Sequence, residues 1–177
     1  SEMCIRDRVS SGLVDRVDVS HFRLALHLVL AFIILSLIFW NYLNYQEIKL
    51  SNKKINKFLP FLFVMFLFIQ ITTGAFVSGM DAGKIYNSWP LMESNFFPDD
   101  SLIVNLFHLS ALSEPSLVQF IHRNFAYLIL LIYLFILFTV YKNKYSNYFK
   151  ILSIVGLFLF LQILLGVLTL LSGAKIF

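Results

Sequence analysis

Residues 58–80 read FLPFLFVMFLFIQITTGAFVSGM, an apolar run without one charged side chain. A helix needs about 20 predominantly apolar residues to cross the hydrocarbon of a bilayer, and this run is long enough. Its apolar residues are consecutive, not alternating, which favours a helix over a strand. Lipid offers an open backbone no partner, so a spanning segment must satisfy its own hydrogen bonds, as a helix does. Pro60 falls in the first turn, where a missing N–H costs little.

Three further blocks of this kind lie to either side. Leu24–Trp40 is free of charge, and its tract extends to about Val19 and Tyr45. Asn124–Tyr141 is free of charge and extends back to Leu117 if His122 and Arg123 are admitted; Ile151–Ala174 is the fourth. The expected spans are 19–45, 57–79, 116–141 and 148–173, and the fold class is an all-α integral membrane protein with four transmembrane helices. Only 14% of residues are charged and 59% are hydrophobic. A water-soluble domain carries about 25% charged residues, so that class is excluded.

The net charge of +4 does not point to nucleic acid, because the lysines gather at helix ends. Lys49, Lys53, Lys54 and Lys57 fill the first connection, and Lys142, Lys144 and Lys150 flank the third. The connection 80–115 is acidic, with Asp81, Glu93, Asp99, Asp100 and Glu114 against Lys84. Cytoplasmic loops collect Lys and Arg. Loops 46–56 and 142–147 are therefore expected in the cytoplasm, and 9–18, 80–115 and 174–177 on the other side. Trp40, Tyr42 and Tyr45 suit an interfacial aromatic belt. Within the acidic loop, Leu102–Leu112 is apolar but too short to span, and reads as a helix lying in the interface. An N-terminus outside the membrane, no signal peptide and Ser at position 1 predict that more chain precedes this one. Cys4 is the single cysteine, so no internal disulfide or thiolate metal site can form.

The second span holds Gln70-Ile-Thr-Thr-Gly74 and the fourth Gln162-Ile-Leu-Leu-Gly166; each then reaches Ser-Gly, at Ser78-Gly79 and Ser172-Gly173. The first and third spans each carry a histidine, His27 and His122, near the external end. An ionisable group inside a span is a functional candidate, and neutral imidazole can bind heme iron axially. The alternative is a histidine that hydrogen-bonds a neighbouring helix. Arg23 shares a face with His27 four residues on, and Arg123 follows His122. Such arginines suit carboxylates at the membrane edge, or they reach toward lipid headgroups. Gln119, one turn before His122, can bond the imidazole, a substrate or another helix. The glycines at 74, 79, 166 and 173 admit a flat ring or a close helix. His21 reads as solvated at the interface and His108 as a structural loop residue.

Four segments carry a family resemblance: 11–28, SGLVDRVDVSHFRLALHL; 74–92, GAFVSGMDAGKIYNSWPLM; 118–128, VQFIHRNFAYL; and 162–170, QILLGVLTL. Together they resemble heme A synthase, a family that converts heme O to heme A for cytochrome oxidase. The loop 80–116 lacks cysteine, so the likeness is to the proteobacterial and mitochondrial branch. Residues 1–8 resemble nothing in it and read as a non-native artefact.

The resemblance implies an eight-helix bundle of two pseudo-symmetric halves, each holding heme between histidines on its second and fourth helices. The four helices here would be the fourth to seventh, an internal piece of that fold. His27 and His122 would then be axial ligands in different halves, both facing inward, with Arg23 and Arg123 on heme propionates. The family's glutamate lies outside this chain, and Gln119 holds the equivalent place as a possible catalytic residue. The implied function is oxidation of the C8 methyl of heme O to a formyl group by successive hydroxylations and loss of water, with heme b as cofactor. The implied surroundings are a bacterial inner membrane, the enzyme that makes heme O, and cytochrome oxidase assembly. The alternatives are a b-type membrane cytochrome that only passes electrons and a heme-free transporter or assembly factor.

The lysine asymmetry predicts that, in a Cys4→Ser background, a membrane-impermeant thiol reagent applied outside modifies Ser94→Cys and spares Asn52→Cys. The reverse labelling pattern would overturn this orientation.

Overall fold

The computed structural model describes residues 20–46 and 57–173. The tracts expected at 1–8, 9–18 and 174–177, and the lysines at 49, 53 and 54, lie outside the described residues. Among the described residues are four α-helices: α1, His21–Tyr45; α2, Phe58–Gly79; α3, Pro115–Lys142; and α4, Ser146–Leu171. All four contain a stretch long and apolar enough to cross a membrane. The protein is an all-α, multi-pass membrane protein.

The helix ends follow from local chemistry. Pro115 opens α3 at a first-turn position, where its fixed φ suits a helix and its missing N–H is not needed. After Lys142 the amide of Lys144 bonds the Tyr141 carbonyl and that of Tyr145 bonds the Val140 carbonyl, both at 3.1 Å. Lys144 takes a left-handed φ of 52°. This pair of bonds around a left-handed residue is a Schellman stop, and it turns the chain directly into α4. At the far end of α4, Gly173 takes φ 70°, which glycine adopts without strain.

α1 packs on α2, α2 on α3, and α3 on α4. The N-terminus of α1 meets the C-terminus of α2, since a Cβ on Gly79 would lie 2.9 Å from the Cα and Cβ of His21. Gly173 lies beside Asn87. The beginnings of α1 and α3 and the ends of α2 and α4 therefore share one end with the loop after α2. The helices alternate in direction, with the short α3–α4 turn at the opposite end.

The core sits toward the loop end, where Ala25, Ala75, Phe76 and Val118 form one buried cluster with Leu28, Val77, Met80 and Leu112 against it. Small residues let α1 and α2 approach there, as packing in lipid requires. Elsewhere the helices expose large apolar side chains, among them Leu35, Ile38, Phe39, Leu131, Phe135, Phe158 and Leu161. Water would not tolerate so much contiguous apolar surface; lipid does. α3 and α4 meet at Tyr133, whose hydroxyl donates to the Leu152 carbonyl at 3.0 Å. A Cβ on Gly156 would fall 2.0 Å from that hydroxyl, so glycine makes room for the phenol.

The interfacial helix expected at Leu102–Leu112 is not one helix. Two 3-10 turns, Ile103–Phe107 and Leu109–Ser113, are separated by His108 in extended conformation at φ −99° and ψ 147°. The amides of Asn105, His108, Ala111 and Glu114 each bond the carbonyl three residues back, the tighter spacing that short pieces favour. The segment still shows its apolar side chains outward, with Phe107 87% and Leu109 89% exposed.

Gly79→Ala should destabilise the fold by about 1–3 kcal/mol, the usual cost of overpacking, because backbone atoms of α1 must shift. Gly166→Ala meets nothing within 4 Å and should stay within about 0.5 kcal/mol of the parent. Denaturant titration of the purified protein in micelles measures both.

Candidate functional site

His122 lies seven residues into α3, ~10 Å from its loop end at 1.5 Å per residue. It faces α2. Its Nδ1 is 3.0 Å from the Thr73 hydroxyl and its Nε2 is 3.2 Å from the Gln70 side-chain nitrogen. A Cβ on Gly74 would stand 3.2 Å from His122 Cε1, so only a glycine lets the ring edge lie against α2. The stretch from Gln70 to Gly74 thus wraps the imidazole with one side chain on each nitrogen and bare backbone between.

Gln119 and Arg123 flank His122 on α3, and both reach the loop. Gln119 Nε2 donates to the Tyr86 carbonyl at 2.9 Å, and an Arg123 terminal nitrogen donates to the same oxygen at 2.9 Å. The other terminal nitrogen of Arg123 donates to the Leu91 carbonyl at 3.3 Å. Gln119 therefore does not bond the imidazole, one of the partners expected for it: its amide is taken by a backbone oxygen. The loop is built to receive these donors. Ser88 Oγ donates to Leu91 O and accepts from the Glu93 amide. Met92 and Asn95 form a bridge, Asn95 donates to the Asp99 carboxylate, and the Trp89–Pro90 peptide is cis. Phe96 and Phe97 pack edge-on against Phe120 of α3, with centroids 5.6 and 5.0 Å away.

Tyr86 is the hub of this contact, 6% exposed. Its hydroxyl donates to the Asp100 carboxylate. Burial raises its pKa above the ordinary value near 10, and the Asp100 charge and hydrogen bond raise it further, against backbone amides of Asp99 and Asp100 that pull it down.

His27 is not part of the α2–α3 contact. It is exposed on α1, because the buried Ala25 two residues earlier points ~200° away around the helix. Ala25 faces α2, so His27 faces away from the interface that holds His122. Arg23 is exposed on the same side of α1. His21, expected to be solvated, is half-buried instead, with its ring tilted against Phe22 at 4.2 Å and edge-on to Phe76 at 5.5 Å. His108 is exposed. Among the described residues no group of three His, Cys, Asp or Glu side chains could hold a bare metal ion.

The sequence profile of a family described as cytochrome oxidase assembly protein matches residues 8–177. The chain belongs to this family. It is 45% identical to a heme A synthase of Pelagibacter ubique (strain HTCC1062) over 169 residues, 95% of this chain and 49% of that protein. It is 42% identical to a heme A synthase of Flavobacterium johnsoniae over 186 residues, 95% of this chain and 51% of that protein. A heme A synthase of Rickettsia felis is 38% identical over 173 residues, with the same coverage. The chain spans about half the length of the curated relatives it matches. No solved structure matches it.

In this member of the cytochrome oxidase assembly family, three site residues were not singled out by sequence. Gln70 and Thr73 stood in the run that suggested a repeat, and their three-residue spacing was the available signal for a pair on one face. Tyr86 offers a backbone carbonyl, a group that every residue has, so no sequence signal marks it.

Tyr86 keeps its proton better folded than unfolded, so its stabilising effect is full below about pH 10 and lost as pH rises through the raised value. Stability of the loop should therefore fall above pH 10 more steeply in the parent than in Tyr86→Phe. At neutral pH that variant should cost about 0.5–1.5 kcal/mol, one hydrogen bond. Hydrogen exchange of loop amides at neutral pH, and thermal unfolding from pH 9 to 11.5, test the two statements.

Proposed function

We propose that these four helices belong to a heme A synthase, an enzyme that oxidises the C8 methyl of heme O to a formyl group. The observation that carries the reading is the half-buried His122, set edge-on over Gly74 inside a membrane-spanning helix. Buried polar atoms near it make no hydrogen bond among the described residues: Gln70 Oε1, Gln119 Oε1 and Arg123 Nε. Orphaned polar atoms in lipid are costly; the Arg123 Nε–H is a donor that an acid group can take, and the two amide oxygens call for donors. Heme b, when bound, supplies one-electron redox chemistry at iron.

In this proposal His122 offers an imidazole nitrogen as an axial ligand. Arg123, whose guanidinium already faces the loop, offers charge to a propionate. Gln119 acts at one remove, by tying Tyr86 over the site. His27 and Arg23 on the exposed side of α1 serve a second heme site, separate from that of His122, in a bundle of eight helices. The lysine-rich ends lie in the cytoplasm of a bacterium, the protein sits in the inner membrane, and the 80–114 loop covers the site on the outer side. Heme O comes from the enzyme that makes it, and the product goes to cytochrome oxidase assembly.

A chimaera tests the proposal: residues 20–173 replace the matching half of the Pelagibacter ubique relative in a bacterium that lacks its own synthase. Extracted pigments should contain heme A. His122→Ala in the chimaera should lower heme b occupancy and change the visible spectrum, while the protein still inserts, because the apolar spans are intact. His108→Ala should match the parent. If His122→Ala also matches it, His122 is not a ligand. Bound heme b without heme A would favour the electron-passing cytochrome.

A further inference from the structure

The proton on a histidine can sit on either ring nitrogen, and the choice decides which nitrogen can bind a metal. The surroundings of His122 make that choice. The Thr73 hydroxyl touches two groups: the Gln70 carbonyl at 3.1 Å and His122 Nδ1 at 3.0 Å. It has one hydrogen. With that hydrogen on Gln70 O, which can only accept, the hydroxyl accepts from Nδ1. Nδ1 therefore carries the proton of neutral His122, and Nε2 is left with a lone pair. The third contact agrees. The Gln70 side-chain nitrogen, a donor, lies 3.2 Å from Nε2, and a donor there requires a bare nitrogen. Thr73 is 5% exposed, so water does not compete for its oxygen.

We propose that Thr73 is the positioning residue that fixes the bare nitrogen of His122, and that Gln70 holds that nitrogen until iron takes its place. The inference rests on the reading of His122 as an iron donor. A metal-bound histidine normally passes its second N–H to a fixed acceptor, which sets the ring orientation and raises its basicity. Thr73 is such an acceptor, supplied by the helix facing the ligand. Gln70 completes the arrangement: its amide satisfies Nε2 inside the membrane and must swing aside before Nε2 can reach iron. Its own Oε1 has no partner among the described residues, so only the one hydrogen bond holds the amide there.

Two measurements on the chimaera described above, purified in micelles, test this. The first is nitrogen NMR of heme-free protein labelled at histidine, with His122→Asn to assign the signal. The parent should show a protonated Nδ1 and a bare Nε2. Thr73→Ser should keep that pattern, and the double variant Thr73→Val, Gln70→Ala, which removes both partners, should lose it. A protonated Nε2 in the parent overturns the proposal. The second is hemin titration followed by absorption. Thr73→Val should bind about tenfold or more weakly, the usual cost of losing a metal ligand's hydrogen-bond acceptor. Thr73→Ser should stay near the parent, and Gln70→Ala should bind at least as tightly as the parent. If Thr73→Val and the parent bind alike through His122, the proposal fails. If hemin binding is the same in the parent and in His122→Ala, the heme reading itself fails, and the NMR result stands apart from it.

Discussion

In hydrocarbon a polar side chain has no water to turn to, so each one must find its partner in the protein. This constraint organises the α2–α3 interface. His122 projects from α3 toward α2, and α2 answers with Thr73 on one nitrogen and Gln70 on the other. Gln119 and Arg123 sit one step toward the loop and take backbone oxygens that the loop brings to them. The close approach that allows these bonds depends on Gly74, where a methyl group would press on the ring. Polar groups thus set the rotation of α3 about its axis, and apolar packing fills the space that remains.

The four helices were legible because lipid imposes the same demand on any chain that crosses it, and composition alone reveals that. The rotation of each helix was not. α2 and α4 are apolar on nearly every side, so their pattern carries little phase, and on α1 it is Ala25, not His27, that faces α2. Leu102–Leu112 shows the opposite failure. Its apolar composition suggested a helix, but the chain there must run from Ser101, 3.3 Å from Ser116, out and back to Glu114. Such a path over few residues favours two tight turns with a break at His108. His122 and Arg123 were readable as ionisable groups inside a span. Their partners were not, because two are backbone carbonyls.

The internal repeat looks different in three dimensions. Gln70 and Gly74 of α2 are engaged with His122, whereas Gln162 and Gly166 of α4 lie on an exposed face with open space at the glycine. The same short pattern therefore occurs once around an imidazole and once without one among the described residues. A glutamine on a membrane-spanning helix is expensive to leave facing lipid. This is consistent with the eight-helix arrangement proposed above, in which α4 has further neighbours.

The grip of Arg123 on the loop has a thermodynamic side. Its two terminal nitrogens are committed to the carbonyls of Tyr86 and Leu91. An acid group that claimed those nitrogens would have to release the loop, at least at one carbonyl. Linkage makes the penalty mutual: whatever factor the closed loop costs the acid in affinity, the bound acid costs the loop in its tendency to stay closed. An acid that used the Nε hydrogen instead would escape that penalty and leave the cover in place. The geometry of one guanidinium thus separates two kinds of guest, one that loosens the cover as it arrives and one that settles beneath it.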